Sequence, residues 1–369
     1  GGGFGGMYAV MELERLLGSD PSVEITLVNK DNYFVFTPML HEVAASDLDL
    51  THIVNPIRKL LRRAVFFNGD ILEIDLHRKS VVVSHGVDQD HPHRLEYDHL
   101  VLALGSVTNF FGTPGVEERA FTMKTLGDAI AVRNRVIDSM EEADFECCPE
   151  IRRRMMTFVV AGGGFAGVET IAAIHDFMCD ALPHYPNLRP ADVRMVLVHP
   201  GEVILPELGE NLGRYAQRKL AARGIEILSG TKVTGFCDGR VALSGGTEIA
   251  SANLIWTRER GRVVVDEFLE VRDFPGVWSL GDCALVPDRR SGGFCPPTAQ
   301  HASRQGKAVA RNIAASLRGG GKRPFAFRTL GQLASIGRRT GVARVLGLNF
   351  SGFLAWWLWR TIYLMKLPR

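Results

Sequence analysis

Three glycines, Gly162, Gly164 and Gly167, carry the clearest chemical signal in the chain. The spacing G-x-G-x-x-G suits a dinucleotide's pyrophosphate. The first glycine permits a tight turn, the second lets backbone approach the phosphates, and the third lets a helix pack closely on a strand. The same spacing opens the chain at Gly1, Gly3 and Gly6. Where such turns bind nucleotides, a carboxylate closing the next strand usually holds a ribose hydroxyl. Here Asn29, followed by Lys30, stands at the first of these places and His199 at the second. Asn29 can still hydrogen-bond a ribose, and His199 removes the repulsion an acid would exert on a 2′-phosphate. Glu169 falls in the first turn of the helix after Gly167, where the dipole favours an acid. Asp282, after Gly281, could accept hydrogen bonds from sugar hydroxyls or cap a helix, and the local sequence weighs the two equally. Taken alone, His301 reads as a packed or capping histidine.

These residues need elements to hold them. The apolar run Phe158 to Ala161 predicts a buried strand entering the central turn, and Val168 onward predicts a helix. That helix would point its free N–H groups at the phosphates. Met7 to Leu17 has helical apolar spacing and Val23 to Val28 predicts a strand, so Gly1–Gly6 belongs to a β-α-β unit whose first strand is expected upstream. Phe66–Asp75 and Ser80–Ser84 alternate as antiparallel strands of a small meander. Tyr97–Ser106 predicts a strand ending in a glycine turn, and Phe110–Gly115 is a turn cluster. Gly127–Ala143 predicts a helix with a solvated face. Strands over Val193–Val198, Gly224–Leu228 and Arg240–Ser244, with a helix over Leu212–Arg223, repeat the pattern. Val277–Ala284 delivers Asp282 at a strand's carboxyl end, where ligands bind in open α/β sheets. The expected fold class is α/β with two Rossmann-like dinucleotide-binding domains.

Hydrophobic content of 46% and charged content of 23% suit a globular protein of two or more domains. The net charge of +2 hides an asymmetry. From Arg289 to Arg369 there are 15 Lys and Arg and no acid, leaving 28 basic against 41 acidic residues before it, or −13. So basic a segment faces an anionic surface, lipid or nucleic acid. No nucleic-acid reading motif accompanies the charge, so lipid is favoured. The six cysteines show neither a C-x-x-C pair nor a metal-ligand spacing, which predicts reduced thiols and no metal.

The two fingerprints, the Leu104-Gly105-Ser106 turn and Gly281-Asp282-Cys283-Ala284 resemble the flavoproteins with two dinucleotide-binding domains. Asn32 to Val43, Gly162 to Glu169, Ala299 to Ala302 and Gly352 to Pro368 most resemble the type II, non-proton-pumping NADH:quinone oxidoreductases, over nearly the whole chain. The resemblance implies FAD on a discontinuous domain of residues 1–115 and 263–330. Gly1, Gly3, Gly6, Asn29, Lys30, Thr37, Pro38, Leu104, Gly105, Gly281, Asp282 and Ala299 would hold it. It implies NADH on residues 116–262, at Gly162, Gly164, Phe165, Gly167, Glu169 and His199, with NADPH left open by His199. Glu169 matches an acid near the nicotinamide and flavin, Ala299 and Gln300 match the motif lining the quinone site, and His301 or Glu169 would relay protons. Residues 331–369 would form an amphipathic membrane-associating segment placing the enzyme on the cytoplasmic face of the plasma membrane.

Several departures stand against the pattern. Both ribose acids are replaced. Thr257 runs directly into Arg258, a connection shorter by roughly one to two dozen residues than such domains use, so a loop is expected to be absent or shortened. The family continues beyond Arg369, so the chain is expected to be a fragment. No apolar run reaches the ~18 residues a spanning helix needs. Three tryptophans with Arg360 and Lys366 instead suit an interfacial helix. Its rivals are a homodimer interface and a helix that covers the flavin domain. Two other functions share the architecture. A sulfide:quinone oxidoreductase would need two redox cysteines at the flavin, for which Cys148 and Cys295 are poor candidates. A flavin-binding regulator that senses NAD(P)H would account for the missing acids.

Overall fold

The computed structural model of the chain describes residues 1–85 and 91–367. Its central sheet has five parallel strands in the order Phe121–Thr122, Asn253–Trp256, Thr157–Ala161, Arg194–Val198, Ile225–Leu228. Every residue of Thr157–Ala161 is buried, because both faces of the sheet are covered. The alternation of strand side chains divides the run. Phe158 and Val160 join the core beneath the helix Phe165–Ala181, with Ile171 and Ile174. Val159 and Ala161 face the opposite core with Phe236 and Val241 of an antiparallel three-stranded sheet.

Two further parallel pairs join Thr26–Asn29 with Val65–Asn68, and Leu100–Leu102 with Val277–Ser279. The pairing of Val65–Asn68 corrects the expected meander, which consists of Asp70–Asp75, Ser80–His85 and His91–Glu96. Phe66 alternates like a meander residue but is buried against Met7 and Leu27. The helices Phe4–Leu17 and Ala299–Leu317 meet backbone to backbone, since a Cβ on Gly306 would lie 2.3 Å from the Gly5 carbonyl oxygen. Asp282 lies in a single 3₁₀ turn, Gly281–Cys283, and the helix that follows starts only at Ala299 behind a Thr298 cap. Capping a following helix is therefore not its role.

The C-terminal part is built into the fold. Gly331–Ser335, Gly341–Val345 and Leu348–Gly352 form an antiparallel sheet, and the tail helix runs Phe353–Lys366. The strand Leu348–Gly352 runs directly into that helix. Ala355 and Trp359 are fully buried in the same core as Phe158 and Ile171. Burying a tryptophan contributes a few kcal/mol, which anchors this helix firmly. Its opposite face keeps Phe353, Leu354, Trp357, Leu364 and Met365 exposed. One face of the segment thus covers the protein, and the other is open and apolar. Pro368 and Arg369 lie outside the described residues.

Candidate functional site

The two glycine turns have matching geometry. Gly3 precedes its helix with φ −77° and ψ −170°, and Gly164 does so with φ −79° and ψ −172°. The third glycine is sterically compelled in each. A Cβ on Gly6 would lie 1.9 Å from the Gly1 carbonyl oxygen, and one on Gly167 would lie 1.8 Å from that of Gly162. Gly162 has φ +126°, where a side chain is strained. The middle glycines, Gly3 and Gly164, have nothing within 4 Å of a built Cβ, the open approach a pyrophosphate needs.

The residues that replace the ribose acids act on these same turns. Asn29 Oδ1 accepts from the Gly2 amide at 2.7 Å, and His199 Nδ1 accepts from the Gly163 amide at 3.1 Å. Each therefore fastens its turn at the position between the first two glycines. Because Nδ1 accepts, the His199 ring is neutral on that side, and burial holds its pKa below the usual imidazole range.

A cavity of about 1150 Å³ runs from the first turn to the second helix. That exceeds the usual volume of a drug-sized site, leaving room for a dinucleotide and a second substrate. Gly1, Gly3, Asn29, Thr37, Pro38, Leu104, Gly105, Gly281, Asp282, Ala299, Gln300, Phe165 and Glu169 all line it. The set fits a flavin dinucleotide: a glycine cradle without side chains, an acid at 3.6 Å from Lys124 Nζ, and further cations at Arg304 and Lys307. Gly6, Gly162, Gly164 and Gly167 are not among the residues that line it. Lys30 is exposed and, like His199, does not reach the cavity.

Gln300 is held at both ends of its amide. Nε2 donates to the Gly331 carbonyl at 2.8 Å, and Oε1 accepts from the Leu330 amide at 3.3 Å. His301 departs from the expected relay. It is 2% exposed, shares a 2.8 Å contact with Thr298 Oγ1 through Nδ1, packs edge-on to Phe327, and is absent from the cavity wall. Burial, assisted by Arg304, pushes its pKa down to about 4, so it is a neutral packed histidine.

Glu169 is different. The residue is 7% exposed; its carboxyl accepts from the Ser335 amide at 3.1 Å and is pushed up to about 8 by burial, so it carries a proton at neutral pH. Around it stand groups the sequence did not single out. His41 Nδ1 is 3.8 Å from Glu169 Oε2, His41 Nε2 is 3.9 Å from Glu42 Oε1, and Arg360 Nη1 donates to Glu42 Oε2 at 2.5 Å. Arg360 comes from the tail helix, 318 positions from Glu42. Only the residue types in the aromatic stretch before Val43 could have hinted at this cluster.

No cysteine lines the cavity among the described residues, and Cys295 is buried with its thiol pushed up to about 11 by burial. None of the described helices is long and apolar enough to cross a membrane.

The family profile of the pyridine nucleotide-disulphide oxidoreductases matches residues 1–306. The type II NADH:quinone oxidoreductase Ndh of Mycobacterium tuberculosis is 30% identical across 100% of this chain and 83% of its own length. A probable NADH dehydrogenase of Dictyostelium discoideum is 30% identical across 93% of this chain and 80% of its own. Among solved structures, NDH2 of Plasmodium falciparum in complex with NADH superposes with a TM-score of 0.91 at 18% identity, covering 100% of this chain and 94% of that one, a likeness of fold.

Proposed function

The chain belongs to the pyridine nucleotide-disulphide oxidoreductase family and, within it, to the type II NADH:quinone oxidoreductases, and from this we propose that it oxidises NADH at a bound FAD and reduces a membrane quinone. The observation that carries the reading is the single cavity joining the first glycine turn to the protonated Glu169 and to Gln300. A flavin there would supply the two-electron chemistry, taking a hydride equivalent from NADH and giving two electrons to quinone.

The protein's part is alignment, exclusion of water and proton supply. Gly1, Gly3 and the N-terminus of the helix Phe4–Leu17 would bind the FAD pyrophosphate, with Asp282 on its sugar-alcohol chain. Gly162, Gly164 and the helix Phe165–Ala181 would bind that of NADH, with Glu169 of the same helix on the cavity wall. Quinone would enter beside Ala299 and Gln300, whose amide is fixed by the backbone at Leu330 and Gly331. Glu169 would hold the proton that a quinone oxygen takes. His199 leaves NADPH acceptable as a donor, because no carboxylate faces the 2′-position from its place.

The exposed apolar face of the tail helix supports peripheral attachment to a lipid surface on the cytoplasmic side. Leu346 and Leu348 on the adjoining hairpin extend it, and the acid-free basic segment surrounds it. Such attachment brings the cavity to the quinone without a spanning helix, and no proton pumping is needed.

The purified chain should be yellow, bleach on addition of NADH and recover its colour with a short-chain quinone. A flavin that NADH leaves oxidised would overturn the reading, and bleaching by sulfide would transfer it to the sulfide:quinone class.

A further inference from the structure

Resting on that reading, we propose that His41, wedged between the carboxyl groups of Glu169 and Glu42, is the positioning residue that passes solvent protons from Asp47 to Glu169 during quinone reduction. The stoichiometry demands a supply. NADH, quinone and one proton yield NAD⁺ and quinol, so each turnover draws one proton from solvent. Glu169 gives its proton to a quinone oxygen and is left as a buried carboxylate, a costly state until it is refilled.

His41 is built for the refilling. It is 5% exposed, lines the cavity, and its Nε2 has no hydrogen-bond partner among the described residues. An orphaned buried nitrogen is costly, so its position between two acids calls for an explanation. The two gaps, 3.8 Å to Glu169 and 3.9 Å to Glu42, are each about 1 Å beyond a hydrogen bond. Small rotations of the ring close one and then the other, as catalytic contacts tighten once substrates bind. In the step itself a proton leaves His41 Nδ1 for the Glu169 carboxylate while another arrives on Nε2 from Glu42. Glu42, whose pKa burial raises against the pull of Arg360, is left as the carboxylate paired with Arg360 until a solvent proton refills it by way of Asp47. A flip of the ring restores the first tautomer.

The surrounding charges suit this passage. Burial and Arg360 keep His41 uncharged, pushing it down to about 3, so it transfers protons without storing one. Arg360, from the tail helix, keeps Glu42 anchored. From the same helix the Trp359 ring lies 5.7 Å from the His41 ring, and burial with the nearby charge of Glu169 raises the Tyr363 hydroxyl so that it stays protonated. The strand Gly331–Ser335 contributes only the Ser335 amide. At the outer end, the exposed Asp47 donates its amide to the Glu42 carbonyl at 2.9 Å. Its carboxyl is pushed up to about 6 by partial burial, Glu42 and Asp176, against Arg360 and Arg338. Because Asp47 is exposed, its carboxyl exchanges protons with water.

The experiment uses the full flavin-loaded chain and times the two halves of the reaction separately by stopped flow, with NADH and then with a short-chain ubiquinone analogue. In His41→Gln, reduction by NADH should stay within about twofold of wild type, since hydride transfer needs no solvent proton. Reoxidation by quinone should slow by about tenfold or more, the low end of proton-transfer contributions, and added imidazole should restore it. Asp47→Asn, a surface change that leaves the core intact, should slow reoxidation in the same direction, most strongly above pH 6. In the flavin-free chain, the infrared carboxylic band lost in Glu169→Gln should exchange with D₂O more slowly in His41→Gln. Reoxidation equal to wild type in both variants, or slowing that imidazole does not relieve, overturns the relay. A wild-type chain that NADH fails to bleach, or quinone fails to recolour, overturns the function itself.

Discussion

Replacing Glu169 with Gln should make the protein more stable, and by an amount that depends on pH in a defined way. The glutamine is nearly isosteric and can still accept from the Ser335 amide through Oε1. What disappears is the titration. Burial raises the carboxyl from 4.5 to about 8, which corresponds to about 5 kcal/mol. Because the folded value lies above the unfolded one, the favourable contribution is fully present below pH 4.5 and is lost as pH rises to 8. The stability gap between Glu169→Gln and wild type should therefore be near zero at pH 4.5. It should widen by about 1.4 kcal/mol per pH unit to about 3 kcal/mol at pH 7, and level off near 5 kcal/mol above pH 8. His41 and Asp47 titrate in both proteins and cancel from the difference. Urea unfolding of the flavin-free chain at pH 5, 6, 7, 8 and 9 measures it. For a chain of this size Tm should move by about 1–2 °C per kcal/mol. A gap that stays constant across that range would refute the assignment of a buried, protonated carboxyl.

Further outcomes follow from the same geometry. Gly164→Ala should fold normally, having open space around the new methyl, yet bind NADH at least about tenfold more weakly, whereas Gly167→Ala, meeting the Gly162 carbonyl, should fail to fold its second domain. Calorimetric titration and circular dichroism distinguish the two. His199→Glu should raise KM for NADPH by about tenfold or more while sparing NADH, read from steady-state kinetics with each donor. Trp357→Ser with Leu354→Ser should leave stability within about 0.5 kcal/mol but reduce sedimentation with anionic vesicles, while Trp359→Ala should cost about 3–5 kcal/mol in urea unfolding.

Both glycine turns were legible because their requirements are local: three glycines and a helix after them, with an apolar strand before the central one. The Gly281–Asp282 turn was legible for the same reason, and the start of the next helix at Ala299, capped by Thr298, removes the capping alternative. Phe66 was misplaced because a short strand with alternating burial looks alike in a meander and at the edge of a parallel sheet. The tail helix was visible, but its faces were not. Trp357 and Trp359 are equally apolar, and only the core around Phe158 and Ile171 decides that Trp359 is the buried one. The acid cluster was the least legible. His41 and Glu42 meet Glu169 and Arg360 across more than a hundred positions each, and no periodicity links them.

The bonds from Asn29 to the Gly2 amide and from His199 to the Gly163 amide have a thermodynamic consequence. Fixing one residue's backbone costs about 1–2 kcal/mol of conformational entropy, and glycine, the freest residue, loses the most. Here that loss falls at folding, before any nucleotide arrives, because a strand-end side chain already restrains each turn. Association then spends its free energy on contact with the phosphates instead of on shaping loose backbone. An acid at these positions would take part of its affinity from the ribose. The amide-clamped turns favour instead a donor recognised mainly by its diphosphate, with its adenosine end loosely specified.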